Sequence, residues 1–261
     1  MIGERIGRIN RKIAEGGVAI GTHISLCEPA VTEMLGLIGY DFVWIDWEHS
    51  AMDRSHIQGH LMAAQGVGAA AFVRVPWNDP VTVKPILEMG PDGVIFPMVM
   101  DAAEAAAAVA STTYPPAGRR GFGPRRANGY GMVPTAEYLR EVEGSFWRII
   151  QIEHEDAVRN LDAILAVEGV DTIVVGPNDL SGSVGLLGQT RHPRVLALLD
   201  EIAAKCVRAG KAFGTSIGFD AGVVAEWKGR GVSWIAAGGD TGYMMEAGRK
   251  TYGEMKGIFG S

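Results

Sequence analysis

Apolar β-branched runs alternate with stretches of helical apolar spacing along almost the whole chain. Strand-like runs fall at residues 18–24, 42–46, 70–75, 93–97, 147–152, 171–175, 212–216 and 233–237, eight in all. They are continuous rather than alternating in polarity, as strands covered on both faces of a parallel sheet are. Helical spacing fills the gaps at residues 29–38, 55–65, 80–89, 102–111, 156–166, 194–209, 221–229 and 241–255. The third of these has explicit start signals, Asp79 as cap and Pro80 at the first helical position. Pro85 within it predicts a kink or an early end. A further helix at residues 6–14 precedes the first strand and stops at Gly16-Gly17.

Eight βα units predict an α/β fold, a (β/α)8 TIM barrel with an N-terminal capping helix, as one domain over residues 1–261. A doubly wound open sheet competes, but it needs a switch point that eight units of similar strength do not offer. Residues 114–134 break the alternation, being too rich in proline and glycine for a helix. A loop of this length is usually functional or disordered. Because it follows a strand-helix unit, it starts at the end of the barrel opposite the strands' C-termini.

The net charge of −6, without a basic run interleaved with aromatics, argues against nucleic acid as a partner. No apolar run reaches the ~18 residues of a membrane span. Glu4 follows closely on Met1 with no signal-like apolar stretch, so the expected location is cytoplasmic. Cys27 and Cys206 match no metal or redox spacing. No glycine-rich dinucleotide fingerprint and no phosphate-binding loop occurs, so no organic cofactor is expected.

The candidate chemistry lies at strand ends. Glu153 closes Arg148-Ile149-Ile150-Gln151-Ile152, and Asp179 follows the next strand, one strand-helix-strand unit later. Adjacent parallel strands would present both carboxylates at one sheet edge. Two hard oxygen ligands suit Mg²⁺ or Mn²⁺, with water and substrate completing the shell. The competing reading makes each carboxylate a cap or first-turn acid of the following helix, and it stays open.

The second strand ends Asp46-Trp47-Glu48-His49, where His49 is a candidate general base with acidic neighbours. Arg74 ends the third strand, suited to a substrate carboxylate or a developing oxyanion, or to a salt bridge with Asp46 or Glu48. Gln151 shares a face with Glu153. Metal carboxylates, an arginine, a histidine and an amide are what an enolate of a 2-oxo acid requires. Lys84 and Lys211 fall in helices or their exits, so a Schiff base lacks its nucleophile.

Five blocks together resemble the class II pyruvate aldolases of the HpcH/HpaI family. They are Ile45-Asp46-Trp47-Glu48-His49, Val73-Arg74-Val75-Pro76-Trp77-Asn78-Asp79-Pro80, Tyr114-Pro115-Pro116-Ala117-Gly118 with Arg120-Gly121, Gln151-Ile152-Glu153, and Val175-Gly176-Pro177-Asn178-Asp179-Leu180. The resemblance spans nearly the whole chain. It implies a divalent metal, Mg²⁺, Mn²⁺ or Co²⁺, on Glu153 and Asp179. Gln151 and the backbone of Gly176, Pro177, Asn178 and Asp179 would contact pyruvate. Arg74 would bind the keto oxygen, and His49, supported by Asp46, would move the proton.

The resemblance further implies a homohexamer, a trimer of dimers that exchange the last helix, with Glu88 reaching a neighbouring subunit's histidine. That residue is a glutamate where the family pattern has aspartate. His23 stands where the pattern has an aromatic residue, which makes the aldehyde side more polar or alters proton traffic. Arg119, Arg120, Arg125 and Arg126 are candidates for selecting a charged acceptor, against a simpler reading as loop charge or subunit contact. The expected reaction is reversible cleavage of 4-hydroxy-2-oxo acids to pyruvate and an aldehyde. An oxaloacetate decarboxylase or an acyl thioester lyase would use the same site, and a barrel that has lost catalysis is the alternative of another class.

Overall fold

The computed structural model describes residues 3–260. Met1, Ile2 and Ser261, at the ends of the expected domain, lie outside the described residues. The strands are β1 (Ala19–Ile24), β2 (Phe42–Asp46), β3 (Ala70–Arg74), β4 (Gly93–Phe96), β5 (Trp147–Ile152), β6 (Thr172–Val175), β7 (Phe213–Ile217) and β8 (Trp234–Gly239). Each pairs in parallel with the next, and β1 closes on β8, giving the expected barrel.

The helices are α1 (Glu4–Ala14), α2 (Pro29–Ile38), α3 (Arg54–Gly66), α4 (Pro80–Met89), α5 (Ala102–Thr112), α6 (Thr135–Glu141), α7 (Glu155–Arg159), α8 (Leu161–Leu165), α9 (Pro177–Ser183), α10 (Pro193–Arg208), α11 (Ala221–Gly229) and α12 (Asp240–Phe259). Among the described residues, no helix is long and apolar enough to cross a membrane.

Four elements depart from the expectation. Helix α4 runs unbroken through Pro85. The carbonyl left without its N–H partner belongs to Val81, whose exposure lets water take it. The helix expected at 156–166 divides at Asn160, whose side-chain amide instead donates to Met100 O at 3.0 Å. The 114–134 segment is not wholly irregular, because Arg126–Gly131 forms a 3₁₀ turn and α6 follows it. Helix α9 is too short to read as helical from sequence, yet Pro177 at its first position starts it.

Inside the barrel, aromatic rings and glycines interlock. Phe42 stacks on Phe72 with centroids 4.8 Å apart, and Trp234 meets Phe42 edge-on at 5.6 Å. A Cβ on Gly21 would lie 2.2 Å from the Phe42 ring, and one on Gly214 would lie 2.3 Å from Trp234. Only glycine therefore leaves these rings their space. The buried indoles are mostly satisfied: Trp234 Nε1 donates to Thr172 Oγ1 at 2.9 Å and Trp147 Nε1 to Asn10 Oδ1 at 3.2 Å.

Ile6 and Ile9 of α1 pack on this interior layer and plug the N-terminal end. The helix is fastened there by Arg5, whose Nε donates to both oxygens of buried Asp92 at 3.0 Å. With one end closed by apolar side chains, polar chemistry is left to the other. Trp234→Ala is expected to cost about 3–5 kcal/mol of unfolding free energy, because the ring touches rings from three other strands. Urea denaturation of both proteins checks this.

Candidate active site

Strand alternation fixes who faces the mouth. Phe42 and Trp44, Ala70 and Phe72, Trp147 and Ile149, and Trp234 and Ala236 all point inward. The same parity carried forward turns Asp46, Arg74, Gln151, Glu153, His23 and Ser216 toward the barrel axis at the C-terminal end. Register puts Asp46 directly beside Arg74.

Arg74 is held between two acids. Its Nε donates to Asp46 Oδ1 at 3.1 Å and its Nη2 to Asp46 Oδ2 at 2.6 Å, while Nη1 lies 3.0 Å from Glu48 Oε2. The salt-bridge reading of Arg74 therefore holds, and it orients the guanidinium. Burial would raise the pKa of Asp46, but the hydrogen bonds and charge of Arg74 outweigh it and leave the carboxyl below its usual range. Burial raises Glu48 to about 7, with the Glu153 charge adding to the rise and Arg74 opposing it. Asp46 also accepts the backbone N–H groups of Glu48 at 3.1 Å and His49 at 3.2 Å. It thereby sets the turn that carries the exposed His49 imidazole, 3.6 Å from Glu48.

Glu153 does not cap the next helix, because His154 does. Its carboxylate turns inward, taking Met98 N at 2.7 Å on one oxygen and the Gln151 amide on the other. Met98 has φ 54, a conformation rare for a side-chain-bearing residue, and this aims its N–H at Glu153. Burial raises the pKa of Glu153, and the nearby charge of Asp179 adds to the rise. Asp179 stands exposed in the first turn of α9.

Two carboxylates opposing each other at one edge form a donor set that a divalent cation suits. Among the described residues no three His, Cys, Asp or Glu side chains gather as a metal site, so substrate and water would complete the coordination. The surroundings fit such an occupant. A Cβ on Gly176 would lie 2.8 Å from Glu153 Oε2 and 3.2 Å from Gln151 Nε2, so the glycine keeps this space open. Gln151 Oε1 and Trp44 Nε1 are buried and have no hydrogen-bond partner among the described residues.

Three candidates lie elsewhere. Arg120 is buried, donating to Tyr138 OH at 3.0 Å and standing 3.7 Å from Glu88. Glu88 ends α4 at the opposite face, and Arg126 is likewise there, donating to Met89 O at 2.8 Å. Within one subunit neither Arg120 nor Glu88 reaches the mouth. His23 does, and with it Ser216 and Met98, which spacing alone did not mark. Only position at the ends of β7 and β4 signalled the last two.

Residues 19–247 match the family model described as HpcH/HpaI aldolase/citrate lyase. The chain belongs to this family. It is similar to a 5-keto-4-deoxy-D-glucarate aldolase of Citrobacter koseri, 39% identical over 91% of this chain and 92% of the relative. One of Salmonella paratyphi A is 40% identical over the same shares. A solved HpcH/HpaI aldolase from Desulfitobacterium hafniense superposes with a TM-score of 0.88 at 30% identity, covering 95% of this chain and 96% of that one. As a member of the HpcH/HpaI family, the protein is a carbon-carbon lyase, an aldolase of a generally divalent-metal-dependent kind.

Arg74→Leu is expected to move Glu48 above about 7 and to raise Asp46 as well, since the arginine lowers both. A carboxyl-carbon NMR titration of the two proteins measures it.

Proposed function

We propose that this site cleaves 4-hydroxy-2-oxo acids reversibly to pyruvate and an aldehyde. The observation that carries the proposal is Arg74, fixed between Asp46 and Glu48, at the same mouth as Gln151 and the Glu153 carboxylate. Neither Lys84 nor Lys211 offers a Schiff-base nucleophile at this mouth: Lys84 lies along α4, and Lys211 donates to Val170 O at 2.7 Å, at the opposite strand ends. The name of the relatives supports a keto-deoxy sugar acid as substrate.

A divalent cation, whether Mg²⁺, Mn²⁺ or Co²⁺, would be held by Glu153 and Asp179 and would supply Lewis acidity to the 2-oxo acid. Gln151 and the backbone of residues 176–179 orient the substrate carboxylate. Arg74 donates to the keto oxygen and takes up its charge as the C3–C4 bond breaks, leaving an enolate. His49, held by the turn that Asp46 fixes, takes the C4 hydroxyl proton as the aldehyde forms, and C3 is then protonated to give pyruvate. Loss of CO₂ from oxaloacetate gives the same enolate, so decarboxylation is expected alongside.

The assembly we propose is a homo-oligomer, a hexamer built as a trimer of dimers. Met244, Met245, Met255, Ile258 and Phe259 lie exposed along α12, with Leu37 and Ile38 exposed on α2, as an exchanged last helix requires. Glu88, 3.7 Å from Arg120 at the end of α4, is the acid that would face the neighbouring subunit's histidine in this assembly. Two free cysteines support a reducing, cytoplasmic setting.

EDTA is expected to abolish pyruvate-aldehyde condensation, and Mn²⁺ or Mg²⁺ to restore it. Borohydride with pyruvate should leave the protein mass unchanged, and a trapped adduct would overturn the metal-dependent reading. Arg74→Ala is expected to lower kcat by roughly 100- to 1,000-fold, as loss of an oxyanion donor does.

A further inference from the structure

The inner layer at the mouth contains one hydrogen-bond chain that the mechanism above does not use. His23 at the end of β1 has Nδ1 2.9 Å from Gly238 O and Nε2 2.8 Å from Ser216 Oγ. A carbonyl oxygen only accepts, so Nδ1 carries the hydrogen. Burial lowers the His23 pKa and Arg74 adds to the lowering, against the Gly238 contact and the charges of Asp46 and Asp240, so the neutral ring is favoured. Nε2 is then the acceptor, and Ser216 must give it the hydroxyl hydrogen.

That assignment fixes what Ser216 offers. Its only hydrogen is committed to His23, and it accepts no hydrogen bond from the described residues. Half-buried at the end of β7, its oxygen presents lone pairs alone. Strand parity turns it inward at the C-terminal end of the barrel, on the same face as His23 and Arg74. The position relative to the enolate site is set by one indole. The His23 ring lies 5.2 Å from the Trp44 ring, and the Arg74 guanidinium lies 5.4 Å from the same ring. His23, which orients Ser216, and Arg74 thus both contact the Trp44 indole.

We propose that Ser216, oriented by His23, is a specificity-determining residue that accepts a hydrogen bond from a hydroxyl of the acceptor aldehyde. The enzyme accordingly selects hydroxylated, sugar-derived aldehydes over their deoxy counterparts. A carboxylate or carbonyl at that point of the acceptor has no hydrogen to give and meets lone pair against lone pair. The inference rests on the aldolase reading and names the acceptor class it takes. His23 acts here as a positioning residue, because it decides which way the serine hydroxyl points.

The test is the ratio of kcat/KM for D-glyceraldehyde to that for propionaldehyde, with pyruvate as donor, in wild type, Ser216→Ala and His23→Phe. Both aldehydes are measured on the same preparation, so a general loss of active enzyme cancels. The wild type is expected to favour glyceraldehyde, and each variant to lower the ratio about tenfold, mainly through KM for glyceraldehyde. His23→Phe frees the serine hydrogen and should also improve the relative use of glyoxylate, which a merely structural role for His23 would not do. Unchanged ratios in folded variants overturn the inference. If neither variant folds, a wild type that shows no preference between the two aldehydes overturns it unaided. Oxaloacetate decarboxylation takes no acceptor and separates the two levels. Wild type inactive there overturns the aldolase reading itself, whereas decarboxylation with unaltered aldehyde ratios overturns only the role of Ser216.

Discussion

Closing eight parallel strands into a barrel leaves each strand a single inward row, and in this protein one row must serve two purposes. At the N-terminal end it supplies Phe42, Phe72, Trp147 and Trp234, packed into a dry layer that α1 seals with Ile6 and Ile9. At the C-terminal end the same rows terminate in Asp46, Arg74, Gln151 and Glu153. A slip of one residue in any strand would exchange these for the apolar side chains that face the helices. The aromatic and glycine interlock at Gly21, Phe42, Gly214 and Trp234 holds the register on which the mouth depends.

Charge at the mouth has to be offset where it stands. Arg74 is desolvated, and it is tolerated because Asp46 meets it through two hydrogen bonds and Glu48 through a third contact. The cost appears on the carboxylates instead. Asp46 stays ionised beside the arginine, while burial raises Glu48 to about 7 and also raises Glu153. An excess of acids over cations at one edge leaves a deficit of positive charge, which a divalent ion is suited to fill. His23 and Ser216, joined by a hydrogen bond, complete the ring on the other side.

Much of this could be read before any coordinates. The continuous apolar runs located all eight strands to within two residues, because burial on both faces leaves little choice of residue. Asp46, Arg74 and Glu153 were legible because a charge directly after such a run has no packing role. Other features were not. The 156–166 helix looked continuous because nothing local showed that Asn160 would turn its amide to Met100. Arg120 stood as a candidate for selecting a charged acceptor against a simpler reading as loop charge or subunit contact, and nothing local showed that within the subunit it would be buried against Tyr138 and Glu88.

The sequence by itself determined the barrel, the order of its elements and the chemical types available at each strand end, since periodicity and residue type are local properties. Only the tertiary structure decided which of those groups share a surface. Met98 reaches Glu153 through a backbone angle, Gly176 keeps space for an occupant by having no Cβ, and Ser216 meets His23 from strands 193 residues apart in the chain. The first two arise between neighbouring strand ends and the last needs closure of β8 on β1, and no spacing along a chain encodes which residues will meet there.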